Sequence, residues 1–140
     1  MQVFALNEES ELTNPNILVV GHGPFPVSLV ESARMIGGAL DNVRALGLQP
    51  GVTPNDFAAE LRNAIAESAP AIVLTDLFGG TPHNVARLVL REHPDVVLMS
   101  AVSLPLLLEV AFADDLSPEA LDQMREATAA RIVSTSTPSA

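Results

Sequence analysis

The sequence of 140 residues predicts an α/β fold, with an open, mostly parallel, doubly wound sheet of four strands and helices on both faces. Short apolar blocks alternate with segments whose apolar residues recur every three or four positions, which is typical of strand-helix-strand units. The blocks are nearly continuous runs of branched apolar residues, as expected for parallel strands covered on both sides. Because crossovers between parallel strands are right-handed, one sheet between two helix layers follows.

The predicted strands are "ILVV" at 17–20, "VRALGL" at 43–48, "AIVLT" at 71–75 and "VVLMS" at 96–100. The second block mixes polar and apolar residues and therefore favours a position nearer an edge of the sheet. The apolar stretch 96–113 approaches the length of a membrane span, but Pro105 and Glu109 lie inside it. It is interpreted as a buried strand, a turn and a helix, so no membrane insertion is expected.

Between the strands, the periodicity gives each helix one apolar stripe. The stripes are Phe25, Leu29, Ala33, Ile36 and Leu40, then Phe57, Leu61 and Ile65, then Val85, Leu88 and Val89. Thr53, Thr81 and Ser117 each precede a proline, and a hydroxyl residue before proline is typical of a helix N-cap. A last helix is predicted from about Pro118 to Ala130.

One domain is expected, at residues 16–135, preceded by an N-terminal extension at 1–15 and followed by a disordered tail at 136–140. The extension lacks the basic flank and the apolar stretch of a signal peptide. The segment "RIVSTS" at 131–136 fits either a final strand or the start of the polar tail.

The composition excludes several classes of function. Seventeen acidic residues against seven arginines, with no lysine, give a formal net charge of -10, which disfavours nucleic acids and anionic membranes as partners. The absence of cysteine excludes disulfides, thiolate metal sites and cysteine nucleophiles. It also fits a reducing compartment, and the cytoplasm is the expected location.

A histidine and an aspartate follow two of the predicted strands. His22 comes just after the first strand and Asp76 just after the third. Because ligands gather at the carboxyl ends of parallel strands, the two side chains are expected within hydrogen-bond reach of each other. An aspartate that accepts a proton from one ring nitrogen leaves the other nitrogen free to attack an electrophile. No G-x-S-x-G motif supplies a serine nucleophile, so the imidazole of His22 is itself the candidate nucleophile.

The loop after the third strand, "LFGGTPHN", suits a phosphoryl group. Gly79 and Gly80 allow the backbone to approach a ligand, and Thr81 starts a helix whose free N–H groups favour an anion. Gly23, on the other side of His22, is grouped with them as a phosphate-binding residue. Neither a P-loop nor a G-x-G-x-x-G motif after a strand is present, so neither ATP nor NAD and no other cofactor is expected.

The other histidines are expected on the surface. His83 is predicted to be an exposed helix residue, although it could also tune the charge of the pocket, and His93 lies beside a proline at a helix end. A metal site of His22, Asp76 and His83 lacks an obvious fourth ligand and sits in a flexible glycine loop, so no metal is predicted.

The motifs "ILVVGHG", "SLVESARMIGG", "DNVRALGLQPGVTPNDF", "IVLTDLFGGTPHNVA" and "SAVSLPLLLE" occur in this order along most of the chain. With them, the sequence resembles the enzyme IIA domain of the mannose-type (mannose, fructose, sorbose) family of the bacterial phosphoenolpyruvate-dependent sugar phosphotransferase system. The resemblance implies a phosphohistidine carrier in which His22 is phosphorylated, Asp76 orients it and Thr81 binds phosphate.

The resemblance also implies partners. A histidine-containing phosphocarrier protein donates the phosphoryl group and a IIB component accepts it during sugar uptake; no IIB domain follows here, so a separate chain is expected. Similar proteins form homodimers that exchange a C-terminal strand, which "RIVSTS" would supply. Two alternatives stay open: a regulatory module without transport turnover, and the phosphocarrier subunit of a dihydroxyacetone kinase, although "DLFGGTP" favours the sugar-uptake branch.

Overall fold

The computed structural model describes residues 14–136. Residues 1–13 of the predicted extension and 137–140 of the predicted tail lie outside this range. The elements are β1 (Ile17–His22), α1 (Phe25–Gly37), β2 (Val43–Leu48), α2 (Pro54–Ser68), β3 (Ile72–Thr75), α3 (Thr81–Val89), a 3₁₀ turn (Leu90–Glu92), β4 (Val97–Met99), α4 (Leu104–Ala111) and α5 (Pro118–Ala130).

The four strands form one parallel sheet in the order β2-β1-β3-β4. All four predicted strands are confirmed, and β2, the mixed block, lies at an edge as predicted. In the register between β1 and β3, Val20 pairs with Thr75. This register places the residue after β3, Asp76, beside the end of β1, which is the arrangement that a histidine-aspartate pair requires.

Alternate residues of the central strands point to opposite faces of the sheet, and each face has its own core. One face packs against α1, α4 and α5, and the other packs against α2 and α3. The buried residues of the first face include Ile17, Val19, Ile72, Leu74, Val30, Ala33, Leu107 and Val110. Those of the second include Leu18, Val20, Val73, Phe57, Leu61, Ile65, Val85 and Val89. The predicted helix layers on both faces are confirmed.

Two of the three predicted N-caps are confirmed. The hydroxyl of Thr53 accepts a hydrogen bond from the backbone N–H of Asp56 at 3.1 Å, and Ser117 caps α5 in the same way. The third prediction is wrong, because Gly80 is the N-cap of α3 and Thr81 is already its first residue. The physical reason is that the carbonyl of Gly80 accepts the first helical hydrogen bond, from the N–H of Asn84 at 2.9 Å.

The predicted stripe of α2 is buried, whereas those of α1 and α3 are wrong in part. Phe25 and Ile36 are exposed on α1, and Pro26 and Val30 are buried beside Ala33 instead. On α3, the exposed residue is Leu88, and Ala86 takes its place against the sheet. Both helices carry apolar residues on adjacent faces, so a small rotation about the helix axis exchanges one stripe for the other.

The apolar stretch 96–113 forms β4, a loop and α4, as predicted. None of the helices in the described range has the length and hydropathy that a membrane crossing requires. Residues 131–136 follow α5 and form no strand within the part of this single chain that the structure describes.

Candidate functional site

The candidate site lies at the carboxyl edge of the sheet, where β1 and β3 end side by side. His22 is the last residue of β1, and Asp76 directly follows β3. The structure brings these two predicted residues together. Nδ1 of His22 lies 2.8 Å from Oδ2 of Asp76, and the backbone N–H of His22 donates to the same oxygen at 2.9 Å.

This hydrogen bond determines which nitrogen of His22 is available. An ionised carboxylate can only accept, so the proton of the neutral imidazole is on Nδ1 and the lone pair is on Nε2. The side chain of His22 is 49% exposed, whereas that of Asp76 is only 15% exposed. The second oxygen of Asp76, Oδ1, is buried and has no hydrogen-bond partner among the described residues. The pair therefore presents a nucleophilic nitrogen at the surface, with an acceptor oxygen held behind the ring.

Two glycines make room for the pair. A Cβ atom at Gly21 would lie 2.8 Å from Cγ and Oδ2 of Asp76, so any side chain there would displace the carboxylate. A Cβ atom at Gly80 would lie 3.0 Å from Cε1 of His22. Gly21 was missed as a site residue, although a glycine inside an apolar strand commonly marks a close approach of another group.

The predicted phosphate-binding residues differ in what they can offer. The N–H of Gly23 donates to the carbonyl of Leu48 at 2.8 Å, and the N–H of Gly80 donates to the carbonyl of Leu77 at 3.1 Å. In the described part of the chain, the N–H groups of Gly79 and Thr81 donate to no other residue. They lie at the N-terminal end of α3, where a helix favours an anion.

His83 is not the exposed residue that the sequence predicts. It is 4% exposed, and its Nδ1 lies 2.7 Å from Oγ1 of Thr75. The reason for the error is that the face of α3 that packs against the sheet includes Pro82, Ala86 and Val89 rather than Leu88, and His83 lies on that face. Burial, and secondarily the charge of Arg87, lower the pKa of His83 below its ordinary value.

His93 follows the 3₁₀ turn and precedes β4. It therefore lies where the strands begin, at the opposite edge of the sheet from His22, and is partly exposed. No group of three or more His, Cys, Asp or Glu side chains within residues 14–136 is arranged to hold a metal ion.

Large apolar side chains are exposed next to the site in sequence. Phe78 is 71% exposed and Leu77 is 59% exposed, both in the loop after Asp76. Phe25 and Val27, just after His22, are also exposed. Exposed apolar residues grouped in this way are typical of a surface that contacts another macromolecule.

Comparison with known proteins identifies the family. Residues 16–128 match the family model EIIA-man, described as PTS system fructose IIA component. The fructose-specific EIIA component of Bacillus subtilis (strain 168) is 35% identical over 98 residues, which cover 68% of this chain and 67% of that protein. The sorbose-specific EIIA component of Lacticaseibacillus casei is 35% identical over 99 residues, covering 68% and 70%.

Among solved structures, the chain is similar to a PTS IIA protein associated with the fucose utilization operon from Streptococcus pneumoniae. The TM-score is 0.74 at 30% sequence identity, with 85% of this chain and 91% of the other covered. The four-stranded parallel sheet, the match over most of the chain and these relatives agree with one another. The chain belongs to the mannose-type family of IIA components of the sugar phosphotransferase system.

Proposed function

We propose that this IIA component is a phosphohistidine carrier and that Nε2 of His22 is the atom that carries the phosphoryl group. The observation that supports this most directly is the 2.8 Å hydrogen bond between Nδ1 of His22 and Asp76, because it leaves Nε2 unprotonated on a half-exposed ring. The family supports phosphotransfer in general terms.

The proposed step exchanges one phosphorus–nitrogen bond for another. The lone pair of Nε2 attacks the phosphorus of a donor phosphohistidine, and the donor nitrogen leaves with the electrons of the broken bond. The proton on Nδ1 of His22 stays in the hydrogen bond with Asp76. The carboxylate then offsets the positive charge that the phosphorylated ring acquires. The free N–H groups of Gly79 and Thr81 stabilise the oxygens of the phosphoryl group in transit.

The proposed donor is a histidine-containing phosphocarrier protein, and the proposed acceptor is a separate IIB component, both in the cytoplasm. Nothing in the sequence suits a nucleotide donor, since the chain has no lysine and no P-loop. The apolar side chains Leu77 and Phe78 beside the site fit a macromolecular donor better than a small one, because protein interfaces are rich in exposed aromatic and aliphatic anchors.

Intact-mass analysis tests the carrier role. After incubation with the phosphorylated phosphocarrier, the wild-type chain should gain the mass of one phosphoryl group, and that group should be lost in acid and retained in alkali. His22→Ala should gain none. The matched control is His93→Ala, at the opposite edge of the sheet, which should be phosphorylated like the wild type. A His22→Ala protein that still gains the acid-labile group would refute the assignment.

A chase experiment separates transport from regulation. The phosphorylated chain is mixed with a IIB component, and the phosphoryl group is followed on both proteins. Transfer within the turnover time of an uptake system supports the transport role. Retention of the group on this chain, with every candidate IIB component encoded nearby, would favour the regulatory alternative instead.

We further propose a homodimer in which residues 131–136 of one copy lie along β4 of the other. The outer edge of β4 pairs with no strand among the described residues, and a groove of about 530 Å³ runs beside it toward α5. Ile132 and Val133 are largely exposed in the single chain, which suits burial in a partner. Light scattering should give a dimer for the full chain and a monomer after truncation at Ala130. A full chain that stays monomeric at high concentration would contradict the proposal.

A further inference from the structure

His83 ties together the two ends of the loop that contacts the ring of His22. The loop runs from Asp76, whose carboxylate orients His22, to Gly80, whose backbone lies against the same ring. Immediately outside the loop, the side chains of Thr75 and His83 meet at 2.7 Å between Oγ1 and Nδ1. This contact therefore joins the end of β3 to the first turn of α3, on either side of the loop that carries the two groups beside His22.

The tip of the loop rests on the same imidazole. The ring centroid of Phe78 lies 5.1 Å from that of His83, with an angle of 52° between the ring planes. This is within the range of favourable aromatic contacts. Phe78 is otherwise largely exposed, with 71% of its surface accessible to solvent. The base and the tip of the loop thus share one support.

Both partners of this support are buried and belong to regular elements. Thr75 is fully buried at the end of β3, and its carbonyl also accepts a hydrogen bond from the N–H of Val102 at 2.9 Å. His83 is the third residue of α3. Removal of one partner of a buried hydrogen bond leaves the other partner unsatisfied, which costs free energy, so the two side chains are expected to stay together.

From these contacts we propose that His83 is a positioning residue for His22: through Thr75 and Phe78 it holds the loop that presents Asp76 and Gly80 to the reactive ring. His83 itself contacts neither the phosphoryl group nor His22 in this role. The inference rests on the proposed function of His22 as the phosphoryl acceptor, but its structural part concerns the protein before any phosphoryl group arrives.

The first experiment therefore uses the unphosphorylated full chain. Nitrogen-15 NMR reports the tautomer of His22 and the Nδ1–H resonance in the hydrogen bond with Asp76. In Thr75→Val, which removes the hydroxyl at nearly constant shape, that resonance should broaden or disappear and the fixed tautomer should be lost. Thr75→Ser, which keeps the hydroxyl, should restore both signals. A general packing defect at Thr75 would not be rescued in this way.

The second experiment measures the rate at which phosphoramidate, a small phosphoryl donor, phosphorylates the chain. A misplaced reacting ring lowers rates steeply, so Thr75→Val should be slower by roughly tenfold and Thr75→Ser should be close to the wild type. The double variant Thr75→Val/His83→Phe removes both members of the hydrogen bond, so that neither is left unpaired, and keeps an aromatic ring against Phe78. It should fold, and it should still react slowly because the hydrogen bond between residues 75 and 83 is absent.

The two experiments separate the inference from the proposed function. If phosphorylation by any donor fails in the wild type while the His22 signals respond as expected to Thr75→Val, the carrier role is wrong and the positioning role stands. If the wild type is phosphorylated but Thr75→Val and the folded double variant keep the wild-type His22 signals and rate, the positioning role of His83 is overturned.

Discussion

His22 and His83 each engage Nδ1 in a hydrogen bond of almost the same length, at 2.8 Å and 2.7 Å, yet their surroundings are opposite. The partner of His22 is a carboxylate, and the ring is half-exposed at the rim of the sheet. The partner of His83 is the hydroxyl of Thr75, and the ring is buried behind the loop.

The difference teaches what makes one imidazole reactive and the other structural. A carboxylate fixes the tautomer because it only accepts, whereas a hydroxyl both donates and accepts and fixes nothing. The carboxylate of Asp76 also provides a negative charge against a ring that becomes positive, which Thr75 does not provide. Burial lowers the pKa of His83 and so favours its neutral form. His22 is therefore arranged for chemistry and His83 for support.

The largest expected effect on the rate of phosphorylation comes from giving His22 an uncharged hydrogen-bond partner, as His83 has in Thr75. In Asp76→Asn, the amide oxygen takes the place of Oδ2, because the backbone N–H of His22 also donates to that atom. The tautomer is kept, but the negative charge that offsets the charge of the phosphorylated ring is lost, and the rate of phosphorylation should fall on the order of 100-fold. Stopped reactions analysed by intact mass measure this rate.

The control for that variant is Asp95→Asn, which removes an exposed carboxylate at the opposite edge of the sheet. It changes the net charge by the same amount and should leave the rate unchanged. A wild-type rate in Asp76→Asn would mean that the two histidines do not differ through their partners.

A smaller effect should follow from crowding the ring of His22 without touching its hydrogen bond. Gly80 has φ -75°, which alanine adopts without strain, but the new Cβ would lie 3.0 Å from Cε1 of His22. The ring must shift by a few tenths of an ångström, and the rate should fall about tenfold. The free energy of unfolding should fall by no more than about 1 kcal/mol, the usual range for changes at a helix N-cap.

Ser117→Ala provides the matched control, since it alters the N-cap of α5, far from the site in sequence. It should cost similar stability in urea unfolding and leave the rate of phosphorylation unchanged. If Gly80→Ala slows the reaction no more than Ser117→Ala does, the close approach of Gly80 to the ring has no functional consequence.

The pairing of His22 with Asp76 at the carboxyl edge of the sheet, the rim of the site, could be predicted from the sequence because it depends on topology. Once His22 and Asp76 are placed just after parallel strands, the shared carboxyl edge brings them together. The register between Val20 and Thr75 completes this arrangement, and strand pairing of apolar blocks is what the sequence pattern describes best. The same reasoning correctly placed β2 at an edge of the sheet.

The burial of His83 against Thr75, behind this rim, could not be predicted, because it depends on the rotation of α3 about its axis. His83 is buried because α3 turns the face with Pro82 and Ala86, rather than the face with Leu88, toward the sheet. Packing against the sheet chooses between the two faces, and it leaves no periodic signal in the sequence. The exposure of Leu88 and Ile36, each predicted to be buried, has the same origin. Local pattern gives the elements, and tertiary packing gives their orientation.

The comparison also predicts how acid affects stability through His83. Its pKa in the folded chain lies below the ordinary value of 6.5, so the unfolded chain binds the proton more readily. The contribution of His83 to stability is therefore present above about pH 6.5 and is lost as pH falls below it. Because one proton is involved, the free energy of unfolding cannot change through His83 by more than about 1.4 kcal/mol per pH unit. Urea unfolding from about pH 8 to about pH 5 measures it.

The variant that removes this dependence is His83→Phe, whose free energy of unfolding should fall less between neutral and acid pH than that of the wild type. His93→Phe is the control, because it removes a partly exposed histidine that lies just before β4. Its free energy of unfolding should fall with acid as much as that of the wild type. Equal acid losses in the wild type and in His83→Phe would show that His83 is not held neutral by its surroundings.

The smallest effect should come from Arg87, the second cause of the lowered pKa of His83. Arg87 lies one helical turn after His83 on α3 and is exposed, so solvent and salt screen its charge. Arg87→Gln should raise the pKa of His83 toward its ordinary value and reduce the acid loss of stability by a few tenths of a kcal/mol. Arg91→Gln, one turn further on, should have no such effect, and added salt should mimic Arg87→Gln in the wild type. Since burial is the larger cause, most of the acid loss should persist in Arg87→Gln; if the substitution abolished it, charge rather than burial would be what separates His83 from His22.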